Sequence, residues 1–340
     1  MVQELILKGN PYERGLKHGQ TFAVEIRSCI SHFKHELEDQ SVLSAINATK
    51  AFLDKKFPDV NDEIRGISDG TQVPFEDIFL FNNRIIAKAD KHENCSDVAV
   101  FDNDTVIVGM NKDRCYPLPE YEKYFVKKSY PEKGLAFITY GHVGRIWGHG
   151  MNEAGLCTAG TVAHPLHNEN IIPSLGSYFL PPLILSTCKN VSEALNLIDQ
   201  IELICDSGNF LLCDSSGQMV VAEIAPKKRF IRKPENNRII ASTFFSSGQI
   251  EHRNNPEHLE ESLQRYKTIE NVLTQQDNIN LDVIKKVLHS HRKGGSVCRH
   301  PEMGESESTV LSWIALPKKQ EFYFLEGFPC KHEYERYVLK

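Results

Sequence analysis

The sequence lacks a Cys-x-x-Cys pair, an apolar run long enough to span a bilayer, any low-complexity stretch and any surplus of basic residues. Each absence removes a class of function. Nine cysteines scattered without close pairing argue against a zinc ribbon and against a secreted disulfide framework. A net charge of -6 gives no electrostatic reason to expect a nucleic-acid partner, and Lys227-Lys228-Arg229 is too short a basic run to reverse that. Met1 to Leu7 carries an early acid and only a brief apolar run, unlike a secretory signal, so the cytoplasm is the expected location and no membrane partner is expected. No internal repeat is visible.

The chain's 340 residues suffice for one large core or two closely joined units. After a short opening strand, the stretch from Pro11 to Ala89 reads as helix. Tyr12 to Glu38 spaces its apolar residues on one helical face, and further helices are expected over Val42 to Phe57 and Phe75 to Ala87, with Pro58 and Pro74 as punctuation. Near Asn94 the pattern changes to strand and hairpin: Cys95 to Phe101, a turn at Asp102-Asn103-Asp104, then Thr105 to Met110. Strands are expected at Ala136 to Tyr140, Arg145 to Met151, Leu156 to Val162, Asn209 to Cys213, Met219 to Ile224, Phe230 to Lys233, Arg238 to Thr243, Thr309 to Ala315 and Glu321 to Leu325. Helices are expected at Tyr178 to Thr187, Ser192 to Asp199, Leu259 to Leu273 and Leu281 to His289. Grouped strands separated by grouped helices indicate an α+β layer architecture rather than a regular βαβ alternation.

Cys95 sits where the helical stretch ends and the strands begin. Cutting the chain before it would give one residue both a thiol and a free α-amine. A thiol is only a few per cent ionised at neutral pH, and an amine with pKa near ~8 can take its proton without a histidine. Folding the hairpin about Asp102 to Asp104 places Cys95 roughly opposite Asn111 and Asp113 just beyond, on the same side. Asp113 could then hold the new ammonium group, and Asn111 could hydrogen-bond near the reacting carbonyl.

The motifs add a resemblance over nearly the whole length. Gly9 to Gly19 is similar to a Gly-x5-Gly-x-x-His-Gly leader signature, Phe81-Asn82-Asn83-Arg84 to the helix before a cut, and Cys95-Ser96 to a Cys-Thr/Ser start. Gly109-Met110-Asn111-Lys112-Asp113 resembles a Gly-x-Asn-x-Asp segment, and Gly150 to Leu156 reads Gly-Met-Asn-Glu-Ala-Gly-Leu. In this order and spacing the chain resembles the isopenicillin N acyltransferase family of N-terminal-nucleophile hydrolases. The resemblance implies a four-layer αββα core and a precursor that cleaves Asn94–Cys95 into a leader, 1–94, and a catalytic part, 95–340. It implies that Cys95 takes an acyl group from the linear amide of a small acylated amine or peptide-like metabolite, or from an acyl-coenzyme A donor, and passes it to water or an amine. Asp113 and Asn111 would shape the site, Thr243 would stabilise the oxyanion, and Tyr140 with His142 would line the substrate pocket. The chain departs from the pattern at Asn94, where Gly is usual, at Thr243, where the family has Asn, and at Ser306, where the penicillin enzyme has Arg.

The histidines offer a rival account. His142 and His149 flank a Gly-rich stretch, His164 and His167 are near neighbours, and His289, His291 and His300 fall late in the chain. None forms a HExxH motif or comparable ligand spacing, so neither a metal nor another cofactor is expected. Cys298-Arg299-His300 resembles a recurrent segment of the family. The competing readings are an uncleaved binding module on the same fold and a Cys/His hydrolase.

Overall fold

In the computed structural model, residues 2–31, 40–83, 93–115, 122–163, 173–201, 204, 207–225, 228–248, 250, 254–305 and 307–339 are described. The strands among them are β1 (Glu4–Gly9), β2 (Glu93–Asp102), β3 (Thr105–Cys115), β4 (Tyr124–Pro131), β5 (Phe137–His142), β6 (Gly150–Asn152), β7 (Leu156–Val162), β8 (Gly208–Asp214), β9 (Met219–Ala225), β10 (Lys228–Arg232), β11 (Arg238–Ala241), β12 (Glu307–Leu316), β13 (Glu321–Glu326) and β14 (Glu335–Val338). The α-helices are α1 (Pro11–Thr21), α2 (Ala23–Ser31), α3 (Gln40–Lys56), α4 (Pro58–Thr71), α5 (Phe75–Asn82), α6 (Leu180–Thr187), α7 (Val191–Gln200), α8 (Pro256–Thr274) and α9 (Leu281–Leu288).

Among the described residues two sheets form, one of eight strands ordered β1-β4-β5-β6-β7-β8-β9-β10 and one of six ordered β11-β2-β3-β12-β13-β14. Pleating sends alternate residues of each strand to opposite faces, and three apolar clusters follow from that. Ala99, Val108, Met110, Ile138, Leu211 and Trp313 meet between the sheets. Phe125, Leu156 and Phe210 turn outward from the larger sheet against α1 to α7. Val98, Ile107 and Ile314 turn outward from the smaller sheet against α8 and α9. The result is the expected α+β fold of four layers, αββα.

The segment before Asn94 is part of this fold. Its strand β1 pairs in parallel with β4, from Glu4 opposite Val126 to Gly9 opposite Pro131. The leader signature is largely structural. Asn10 caps α1 by accepting from the Glu13 N–H while Glu13 returns the bond to the Asn10 N–H, and Pro11 opens the helix. Gly15 and Gly19 face Gly66 and Gly70 of α4 at backbone contact. A Cβ on Gly15 would lie 2.0 Å from the Glu63 carbonyl oxygen, and one on Gly66 would lie 2.1 Å from that of Tyr12. His18 is buried and accepts a hydrogen bond from the Gly144 N–H, 3.1 Å away.

Several elements differ from the sequence reading. The helix expected over Tyr12 to Glu38 breaks at Phe22, whose N–H closes on the His18 carbonyl, and residues 32–38 lie outside the described residues. Pro58 starts α4 rather than only ending α3. Strand β4 was not expected because its interior carries a lysine: Lys127 is 2% exposed and its ammonium donates to the Ile146 carbonyl at 2.6 Å. Of the strand expected at Arg145 to Met151, only Gly150 and Met151 are strand, the first two residues of β6. Arg84, His164, His167 and Ser306 fall outside the described residues.

Replacing Gly66 by Val should wedge α1 from α4 and cost about 1–3 kcal/mol or more, read as a lower midpoint in thermal denaturation. Gly248→Ala, where an added Cβ meets nothing within 4 Å, should leave the midpoint nearly unchanged.

Candidate functional site

The β2–β3 hairpin decides which groups face one another. Its loop is only two residues, Asn103 and Asp104, both with positive φ (46° and 56°), so Asp102 pairs with Thr105. The sequence reading placed Asp102 within a three-residue turn. Removing it from the turn shifts the register by one: Cys95 lies opposite Lys112, Asn94 opposite Asp113 and Ser96 opposite Asn111. A one-residue slip exchanges faces. Asn111 therefore does not share a face with Cys95; its amide donates to the Leu288 and Val297 carbonyls, both at 2.9 Å, and anchors the α9 end to the sheet.

On the inter-sheet face, Cys95 and Lys112 line a cavity of about 30 Å³ with Tyr140, Trp147, His149, Gly160, Tyr178, Asn209 and Phe210 among its walls. That volume holds one or two waters. The Lys112 ammonium lies 5.0 Å from the Trp147 ring centre and 5.8 Å from that of Tyr140, within cation–π reach. Burial, reinforced by Lys112, drives the His149 pKa down to about 3, so its imidazole is neutral and a poor proton acceptor. Asn209 donates through Nδ2 to the Ser242 and Phe244 carbonyls (2.7 and 3.0 Å), which fixes the orientation of its amide. Its Oδ1 has no hydrogen-bond partner among the described residues. Two residues along β2 from Cys95, Asp97 is fully buried and neither carboxyl oxygen has such a partner; burial raises its pKa well above the usual range, opposed by Lys112.

The opposite face of the same hairpin carries a polar network around Asn94. Its Oδ1 accepts from the Thr243 hydroxyl at 2.7 Å and from Arg265 at 3.2 Å, and its Nδ2 donates to Glu307 at 2.5 Å. Arg299 bridges Glu307 (2.7 Å) and Glu261 (2.6 Å), while Arg265 also pairs with Glu261 at 2.6 Å. Asp113 accepts from the Thr309 hydroxyl at 2.7 Å. Two arginines are thus already offset by two glutamates, and ionising a third acid here is unfavourable. Burial lifts the Asp113 pKa to about 6 against the pull of Arg299 and Arg265.

The structure therefore splits the expected site. Cys95 and Tyr140 border the cavity, whereas Asn94, Asp113 and Thr243 meet on the other face. His142 is not among the residues lining the cavity, though its ring stacks on one that is, Trp147, with centres 6.1 Å apart; its Nε2 lies 2.5 Å from Glu122 and its Nδ1 2.9 Å from the Val143 carbonyl oxygen. β5 carries it one side-chain repeat past Tyr140, where Glu122 holds it. The Gly150 to Leu156 motif is a turn rather than a reactive segment: Asn152 accepts from the Ala154 and Leu156 N–H groups and donates to the Leu185 and Cys188 carbonyls. Sequence reading missed Lys112, Asn209, Arg265 and Glu307 here, and met His149 only in the rival histidine account and Arg299 only within the Cys298-Arg299-His300 segment. A two-residue turn would have disclosed Lys112; the others come from distant segments with no local signature.

The family model described as "Acyl-coenzyme A:6-aminopenicillanic acid acyl-transferase" matches residues 100–330 of the 340, more than half the chain, beginning after Cys95. No curated protein matches the sequence significantly. Solved structures of a mutant and of a variant of the conjugated bile acid hydrolase from Clostridium perfringens are each 14% identical. Each similarity covers 72% of this chain and 97% of that one, with a TM-score of 0.42. The penicillin V acylase from Agrobacterium tumefaciens is 15% identical over 68% of this chain and 83% of its own, with a TM-score of 0.37.

Gly160 is held free of a side chain by His149, whose Cε1 would lie 2.7 Å from an added Cβ. Gly160→Ala should push the imidazole into the cavity. Alkylation of Cys95 by a small electrophile should slow on the order of tenfold, since misplacement by an ångström at a reacting centre costs that or more. Loss of the folded state in circular dichroism is not expected.

Proposed function

Because the chain belongs to the acyl-coenzyme A:6-aminopenicillanic acid acyl-transferase family, we propose that it is a self-processing N-terminal-nucleophile enzyme. Its Cys95 breaks or transfers a linear amide bond in a small acylated amine or peptide-like metabolite. The observation that carries this reading is the position of Cys95, near the start of β2, an interior strand of the smaller sheet, and in the wall of the inter-sheet cavity.

Processing begins at the Asn94 carbonyl. The Cys95 sulfur attacks the carbonyl carbon, the C–N bond breaks, and the thiol proton ends on the departing nitrogen, so the leader becomes a thioester. Water then cleaves the thioester, leaving an Asn94 carboxylate, a Cys95 thiol and a free Cys95 amine. Asn94 is held by Thr243, Arg265 and Glu307, which limits its freedom before attack and lowers the entropic part of the barrier. Asp113 stands opposite Asn94 and, once ionised, favours the new ammonium group. In the mature enzyme that amine accepts the thiol proton, the thiol takes the substrate's acyl group while the amine portion leaves protonated, and water or a second amine resolves the thioester.

The Cys/His alternative has little support, because the cavity histidine, His149, is held neutral with pKa about 3 and His142 is tied to Glu122. A binding module on this fold would leave the chain uncut. Intact-mass measurement separates the readings. Wild-type protein should give two chains divided between Asn94 and Cys95, Cys95→Ala should remain at 38.6 kDa, and an active, uncut wild type would sink the mechanism.

The two chains should also elute together under native conditions, since β1 pairs with β4 and α1 to α5 cover the larger sheet. Separation of the leader without denaturant would contradict this.

Processing should depend on pH through Asp113. Its folded pKa of about 6 lies above the ordinary carboxyl value, so the acid is protonated below that pH. The cleavage rate should rise as pH passes upward through about 6. Asp113→Asn should remove that rise and slow cleavage by on the order of 100-fold. The same shift opposes folding as pH rises, because the folded state holds the proton more tightly than the unfolded one. Asp113→Asn should therefore be at least as stable as wild type above pH about 6.

A further inference from the structure

On the outer side of the smaller sheet, away from the cavity, four soft or nitrogenous donors converge. His291 follows α9, Cys298 and His300 lie in the approach to β12, and Cys330 lies between β13 and β14. One donor atom from each falls within 4.8 Å of every other. His300 Nε2 is 3.3 Å from the Cys298 sulfur and 3.1 Å from the Cys330 sulfur, and the His291 and His300 ring centres are 5.0 Å apart. Cys298 and His300 are buried.

We propose that His291, Cys298, His300 and Cys330 form a structural zinc(II) site. Two sulfurs and two imidazole nitrogens are the donor set of a closed tetrahedral zinc site. Bonds of ~2.0–2.3 Å place donors roughly 3.3–3.8 Å apart around such an ion, close to the two nitrogen–sulfur separations already present. The other ring nitrogen of His300, Nδ1, lies 3.6 Å from a Glu302 carboxylate oxygen, and Glu302 pairs with Lys331 at 3.3 Å. A carboxylate behind a ligating imidazole orients the ring and raises its basicity. Phe328 stacks on the same ring at 4.1 Å. Binding replaces the two thiol protons, which pass to solvent, so the ion joins two thiolates and two neutral imidazoles without net charge.

The ion would tie the connection after α9 to the β13–β14 turn. Between two of its ligands sits Arg299, which holds Glu307 and through it Asn94. The site thus fixes one wall of the processing centre from outside, while its existence is independent of whether Cys95 is a nucleophile.

The test uses the untagged full chain and its Cys95→Ala variant, each purified under reducing conditions, supplied with zinc sulfate, dialysed and assayed for metal by mass spectrometry. About one zinc per chain is expected in both, falling at least tenfold in the Cys298→Ser/Cys330→Ser double variant, and about tenfold weaker retention against a chelator is expected for Glu302→Ala. Cobalt(II) on the wild-type chain guards against misfolded variants: sulfur-to-metal charge-transfer bands with intense tetrahedral d–d bands support the site, and their absence counts against it. A Cys298–Cys330 disulfide in non-reducing peptide mapping of freshly isolated protein, or zinc well below one per chain after reconstitution, would overturn the proposal.

Discussion

Everything in the candidate centre depends on the pairing of β2 with β3. Because a strand alternates its side chains, the pairing of Cys95 with Lys112 sends both toward the other sheet. The neighbouring pairing of Asn94 with Asp113 sends both toward α8. One peptide bond therefore joins two environments. On one side lies a small cavity walled by aromatic rings and one lysine; on the other lies a largely buried network of two arginines and their acids. A register shifted by a single residue would exchange these faces, and the thiol would point into the network.

The two faces have different electrostatics, and both follow from burial. In the cavity, burial and then Lys112 keep His149 neutral. In the network, burial raises the Asp113 pKa to about 6, against the pull of Arg299 and Arg265 and with Glu307 adding to the rise. Buried ion pairs stabilise little in themselves, since desolvation offsets the attraction. Their effect here is positional: Arg265 and Arg299 leave Asn94 and Glu307 few alternative arrangements. The segment before Asn94 braces the cavity side, where Asn82 donates to the Gly144 carbonyl and accepts from the Ile146 N–H next to Trp147 of the cavity wall.

The motifs divide between chemistry and architecture in a way their spacing does not disclose. The glycines of the leader signature let two helices touch, and the Asn of the Gly-Met-Asn-Glu-Ala-Gly-Leu turn satisfies carbonyls at the end of α6. Cys298-Arg299-His300 places its arginine against Glu307 while the two flanking side chains turn the other way, toward Cys330.

The sequence by itself determined the layer class, the change from helix to strand near Asn94, most strand positions, and Cys95 as the residue to watch. These are local signals, set by hydrophobic period, turn residues and motif order within short windows. Tertiary structure alone decided that Lys112 rather than Asn111 faces Cys95, that Thr243 and Arg265 hold Asn94, that Glu122 holds His142, and that four late donors meet. Each depends on a register, on a buried charge whose partner is more than a hundred residues away, or on loops brought together by sheet pairing. A short window of sequence carries no information about which distant segment will fill its other side.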